Sequence, residues 1–239
     1  MGTLATRMMN PSIYPLDVLQ QLYKIHDDFT GHLDLACAKG CAACCTRNVT
    51  LTSLEAALLI RRLNSDMPDR WQPMLSAAAE LPRFQPKVTI NQLADLCIND
   101  EPIPEEEMDP QAGPCPLLKD DICTVYDVRP FGCRAMVSAT VCSMDNPAEM
   151  PEFALTANNV FLQYLEAADS HGVSGNLIDV LLHLDKNEDD AMDIRRFVQY
   201  KSRRVLANRS MSVLMIPPEH REPITPWLER IQAVFQQSP

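Results

Sequence analysis

The chain has 239 residues, 46% of them hydrophobic and 22% charged, with a formal net charge of -11. This is the composition of an ordinary globular protein of one domain or two small ones, and it excludes disorder and collagen-like repeats. The acidic balance argues against broad binding of nucleic acid or anionic membranes through net charge, and no apolar run approaches the roughly 18 residues of a spanning helix.

The N-terminal residues show no apolar stretch after Arg7, so no secretory signal is expected and the expected location is cytoplasmic, in a bacterium. From Pro15 the pattern is helical. Leu16, Leu19, Leu22, Tyr23, His26, Phe29 and Leu33 recur at three- and four-residue spacing, which predicts an amphipathic helix over 15–36 running straight into Cys37. Thr52-Ser53-Leu54-Glu55 matches a capping box and starts a second helix. A third short helix is expected at 70–80, before Pro82.

Residues 82–114 change character. Pro82, Pro86, Pro102, Pro104, Pro110 and Pro114 interrupt any long element, and the stretch from Asp95 to Asp109 holds seven acids and no base. An irregular surface excursion is expected there. A brief strand is expected at Ile122–Tyr126, with helices at 151–170, 174–186, 189–208 and 224–236 and an extended piece at Val213–Ile216. In the third of these helices Asp189 and Asp190 at the start, and Arg203, Arg204 and Arg209 at the end, suit the helix dipole. The expected fold is mainly α, a helical domain with irregular Cys-rich metal-binding loops and little or no sheet. One domain spans 1–239, with a cysteine-cluster part at 33–142 and a helical part at 150–239.

Nine cysteines without a secretory signal are poor material for a disulfide scaffold. Their placement says more. Cys37-x3-Cys41-x2-Cys44-Cys45 forms one dense run; Cys115, Cys123, Cys133 and Cys142 form a second; Cys97 stands alone. Clustered thiolates are soft ligands that suit zinc, copper(I) and iron–sulfur clusters. The vicinal pair Cys44-Cys45 does not readily aim both sulfurs at one small ion, so one of the two serves another centre, bridges, or points away. Gly40 gives the first run a position free to take positive φ. Cys115-Pro116 has the sulfur-then-proline order also found in ferredoxin ligand runs. Lys39, Arg47, Lys119, Arg129 and Arg134 lie close in sequence to cysteines and could offset thiolate charge, Arg134 foremost.

Other chemistry is weakly supported. Cys41-x2-Cys44 has the redox spacing, without the βαβ context of thioredoxin-like proteins. Cys37-x3-Cys41-x2-Cys44 has the spacing of radical S-adenosylmethionine enzymes, but Ala43 stands where those enzymes carry an aromatic, and no barrel pattern accompanies it. The histidines His26, His32, His171, His183 and His220 read as core or interface residues. Glu105-Glu106-Glu107 reads as a solvated loop, and Arg195, Arg196, Lys201, Arg203 and Arg204 as a solvated helix face.

The two cysteine groups, with Cys115-Pro116-Leu117-Leu118 and Cys123-x2-Tyr126-x2-Arg129-Pro130-x2-Cys133-Arg134, resemble the YkgJ-type cysteine-cluster family, a zinc- or iron-chelating domain. The resemblance covers about residues 33–142. It implies eight metal-ligand cysteines: Cys37, Cys41, Cys44, Cys45, Cys115, Cys123, Cys133 and Cys142. Cys97 has no place in the pattern. Some relatives are described as flagellin lysine N-methylases and many as iron–sulfur proteins. The expected cofactor is therefore an iron–sulfur cluster or zinc, with iron–sulfur slightly preferred. The expected role is a structural or electron-transferring site, with an iron–sulfur-dependent methylase or oxidoreductase as the enzyme alternative. A further alternative is a metal-stapled scaffold for a protein partner.

Overall fold

The computed structural model describes residues 15–109, 112–143, 146–185 and 204–236. Among these residues there are eight α-helices, which carry the fold, together with a small three-stranded sheet. Helix α1, Pro15–Gly31, buries Val18, Leu19, Leu22, Tyr23, Ile25, His26 and Phe29 along one stripe. It ends at Gly31, short of Cys37, so the first cysteine run lies in turns and irregular chain. Strand β1, Thr50–Thr52, leads directly into α2, Ser53–Asp66. The box at its start closes as the sequence predicts: the Thr52 hydroxyl accepts from Glu55 N–H, and the Glu55 carboxylate accepts from Thr52 N–H at 2.8 Å. A cap of this kind contributes about 1 kcal/mol.

Helix α3, Trp71–Ala78, follows, and then α4, Ile90–Ile98, inside the segment expected to be irregular. Thr89 caps α4 by accepting from Gln92 N–H at 3.2 Å. Asn91 and Ala94 are its buried residues, too few to make a visible stripe. A two-residue hairpin joins β2, Leu118–Lys119, to β3, Ile122–Cys123. Asp120 and Asp121 both take positive φ between them, the backbone that matches a tight hairpin to strand twist. The short helix α5, Phe131–Arg134, then carries Cys133. Helix α6, Glu152–Ala168, is followed by β4, Val173–Asn176, α7, Leu177–Asp185, β5, Val205–Ala207, and α8, Arg221–Gln236.

Sheet is thus more than the sequence suggests. β4 takes the residues expected to open a helix at 174, and β5 those expected to close the 189–208 helix; the rest of that helix, up to residue 203, lies outside the described residues. The reason is tertiary: β4 is the central strand, antiparallel to β1 through Leu51 against Gly175 and to β5 through Ser174 against Leu206. Val213–Ile216 is irregular chain without a strand partner.

Two cores share α2 as a wall. The first gathers α1, α6 and α8 around Phe29, Phe131, Phe161 and Ile231, with Leu54 from α2. The second gathers α3, α7 and the sheet around Trp71, Leu75, Ile178 and Leu181, with Leu59 and Leu63 from α2. Cys115 and Cys123 pack on the second core, and Leu33, Leu35 and Val137 belong to the first. The segment between α2 and α4 is anchored by Arg83, whose Nε and Nη2 donate to the buried Asp179 carboxylate at 2.9 and 2.6 Å. No helix among the described residues is long and apolar enough to cross a membrane.

Candidate metal centre

The first cysteine run is folded by local turns. Cys41 N–H donates to Ala38 O at 3.1 Å, Cys45 N–H to Ala42 O at 3.0 Å, and Thr46 N–H to Cys44 O at 2.9 Å. Gly40 between them has φ +96°, the conformation its lack of a Cβ permits. The backbone then zips this run to the second one. Cys115 N–H donates to Cys45 O at 2.9 Å and Arg47 N–H to Gly113 O at 3.0 Å, flanking a bridge between Thr46 and Pro114. The hairpin sets Cys123 opposite Leu118, while Leu118 N–H donates to Cys115 O, so Cys115 and Cys123 return to one wall.

Cys133 is presented by a turn. Tyr126–Val128 form one turn of 3₁₀-helix, and Pro130 at φ -66°, ψ 163° stands as the N-cap of α5. Gly132 is required there because a Cβ would meet Thr50 O at 2.8 Å. The far end is tied back by Ser138. Its backbone N–H donates to Cys37 Sγ at 3.2 Å and its carbonyl accepts from Ala36 N–H at 2.9 Å. Its fully buried hydroxyl accepts from Thr140 N–H and Glu149 N–H, shaping the loop that carries Cys142. Sequence reading marks Glu55 only as a capping-box residue and does not mark Ser138; Glu55 also accepts from Phe131 N–H at 2.6 Å and from Tyr23 Oη at 2.8 Å. The capping box was the visible signal for Glu55; nothing local marks Ser138.

Cys37, Cys41 and Cys44 of the first run line one cleft with Cys142, the last cysteine of the second. Its room, about 10 Å³, matches a single water-sized sphere. Cys45 does not line this cleft; its sulfur contacts the Cys44 thiol, and the neighbouring thiols whose charges act on it are Cys133, Cys115 and Cys123. All nine cysteines are free thiols, and Cys97 is exposed on α4. Among the described residues no three His, Cys, Asp or Glu side chains already converge on one ion; gathering the sulfurs takes changes of thiol rotamer.

Electrostatics within the cluster is uneven. Burial pushes Cys133 up, with Cys115, Cys123 and Cys44 adding to it, and burial pushes Cys115 up to about 11. The Cys44 thiol hydrogen-bonds to the Cys45 sulfur, which raises Cys44 and lowers Cys45, so Cys45 is the first of the pair to ionise. Arg129 stacks on the Tyr126 ring at 4.0 Å and lowers both Cys44 and Cys133 by its charge. Its Nε is buried without a hydrogen-bond partner among the described residues. Lys39 approaches the same ring at 5.1 Å. Arg134 is committed elsewhere: it donates to both Asp27 oxygens at 2.8 and 2.9 Å and stacks on Tyr23 at 4.2 Å. The arginine whose charge acts on Cys44 and Cys133 is therefore Arg129 rather than Arg134.

No described histidine joins the lining of the cleft. His26 is buried among Phe29, Phe131 and Phe161 and pairs with Asn158 at 2.9 Å. His32 is on the surface with Nδ1 2.7 Å from Asp28 O, and His220 pairs with Thr156 at 2.8 Å.

A set of exposed and half-buried free thiols with cations and backbone donors beside them defines the class: a cysteine-cluster, metal-chelating protein. Residues 36–156 match the CxxCxxCC family, described as "Putative zinc- or iron-chelating domain", and the chain belongs to that family. Its own first spacing is one residue longer than the family's name, Cys37-x3-Cys41. No curated protein and no solved structure matches. The donor set fits zinc or iron: eight soft sulfurs, free of disulfides, with no hard-ligand competitor in the cleft.

Proposed function

We propose that the protein binds metal through cysteine thiolates alone, in a closed site that serves structure or electron transfer. The observation that carries this is the cleft where Cys37, Cys41 and Cys44 of the first run meet Cys142 from the end of the second. A metal bound there would be held by sulfur, and tetrathiolate coordination leaves no position for substrate. The residues around it have defined work: Ser138 N–H donates to the Cys37 sulfur, and Arg129 supplies positive charge to offset the thiolates.

The nature of the metal has two readings, each with an observation behind it. Four thiols lining one cleft suit a single ion such as zinc. The Cys115-Pro116 order and the N–H donor on Cys37 suit an iron–sulfur cluster. An iron–sulfur-dependent methylase or oxidoreductase is the enzyme form of the second reading, and it requires a cluster with an open position. Anaerobic purification followed by metal and acid-labile sulfide analysis tests the proposal. Zinc without sulfide, or iron with sulfide, supports a thiolate centre of the corresponding kind. Less than a tenth of an equivalent of either metal after reconstitution overturns it.

A further inference from the structure

We infer that the eight clustered cysteines divide into two four-sulfur centres that part at the vicinal pair, Cys37, Cys41, Cys44 and Cys142 in one and Cys45, Cys115, Cys123 and Cys133 in the other. This rests on the metal-binding reading and adds to it the number of centres and the membership of each. The first set shares one cleft. The second is assembled by different contacts: the Cys115 N–H on Cys45 O, the hairpin that brings Cys123 back to Cys115, and the turn at Pro130 that presents Cys133.

The sets also lean unequally on the two cores, with Cys133 on α5 next to Phe131 of the first core. Cys37 and Cys142 are held through Ser138, next to Val137 of the first core. Cys115 and Cys123 pack on the second core beside Leu117 and Val125. Cys44 lines the cleft of the first set while Cys45 O accepts from Cys115 N–H of the second, so the vicinal pair falls at the seam. Four thiolates around a divalent ion carry a net charge near -2, so two such centres side by side repel each other. Both sets reach four sulfurs and leave only Cys97 over, exposed on α4.

Zinc loading of the full chain, counted by mass spectrometry, tests the division. Two ions per chain are expected in the wild type and one in Cys142→Ser or Cys123→Ser. The within-set double Cys37→Ser/Cys142→Ser keeps one ion, and the cross-set double Cys142→Ser/Cys123→Ser keeps none. Loss of all metal in any single variant, or one ion retained in the cross-set double, overturns the division. A wild type that takes up no zinc, and no iron with sulfide, overturns the metal-binding reading itself. A second measurement needs no variant: alkylation of wild type loaded with one equivalent of zinc. Protection of one complete set before the other is expected; protection mixing members such as Cys142 with Cys123 contradicts it.

Discussion

The Glu55 carboxylate accepts from the backbone N–H of Phe131 at 2.6 Å, and so joins the start of α2 to the turn that presents Cys133. The same carboxylate closes the capping box on Thr52 and accepts from Tyr23 Oη on α1. One buried side chain thus ties a helix start, a neighbouring helix and the second cysteine run together. Glu55→Ala leaves several buried donors unpaired, each costing about 1–3 kcal/mol. The expected outcome is a loss of about 3 kcal/mol in urea unfolding together with weaker metal binding. Glu55→Gln, which keeps one acceptor, loses less. Equal stability in Glu55→Ala and wild type contradicts the role.

Pro130 fixes the approach to Cys133, and Arg129 before it is held out of helix, at φ -55°, ψ 140°. Pro130→Ala frees this turn in the unbound chain. Metal affinity is expected to fall several-fold, while the exposed Lys119→Ala leaves it unchanged. Competition with a chromophoric chelator reads both; equal effects count against the turn.

Arg129→Gln removes the cation that favours ionised Cys44 and Cys133. Protons then compete better with metal. The affinity is expected to drop about tenfold, and the pH at which metal is released should rise. Arg134→Gln, whose guanidinium is bound to Asp27, should act on stability rather than on the release pH. A release pH that moves with Arg134 and not with Arg129 reverses this assignment.

Two buried groups set opposed pH trends in stability. Burial raises Asp169 from 3.8 to about 7, although Ser53 Oγ and Leu54 N–H donate to it at 2.6 and 2.9 Å. Its protonated form is favoured by folding, so its contribution is full below about pH 4 and is lost as pH rises through 7. Burial lowers His26 from 6.5 to about 4. The neutral ring is favoured by folding, so its contribution is full above about pH 6.5 and is lost as pH falls through 4. Urea unfolding from pH 4 to 8 should therefore show the stability of wild type relative to Asp169→Asn falling with pH. Relative to His26→Gln it should rise. Flat differences in either series contradict the burial argument for that residue.

Much of this was readable from residues. The α1 stripe, the capping box and the two cysteine runs announce themselves through spacing, because helix periodicity and thiol clustering are local signals. α4 was hidden by the prolines around it and by its two buried residues, although Thr89-x-x-Gln92 carried a cap signal. β4 and β5 were hidden for another reason: Val173–Asn176 includes Gly175 and gains its strand character only by pairing with β1 and β5. The cysteine pattern named the eight thiols, but the grouping of Cys142 with the first run depends on Ser138, whose contacts join segments distant in sequence.

X-ray absorption at the metal edge of anaerobically prepared protein tests the central claim most directly, because it counts the atoms bonded to the metal. A thiolate-only centre gives a shell of sulfur at about 2.3 Å with no nitrogen or oxygen scatterer. A shell containing nitrogen or oxygen ligands, or an iron spectrum that shifts on addition of S-adenosylmethionine, would contradict the closed cysteine site.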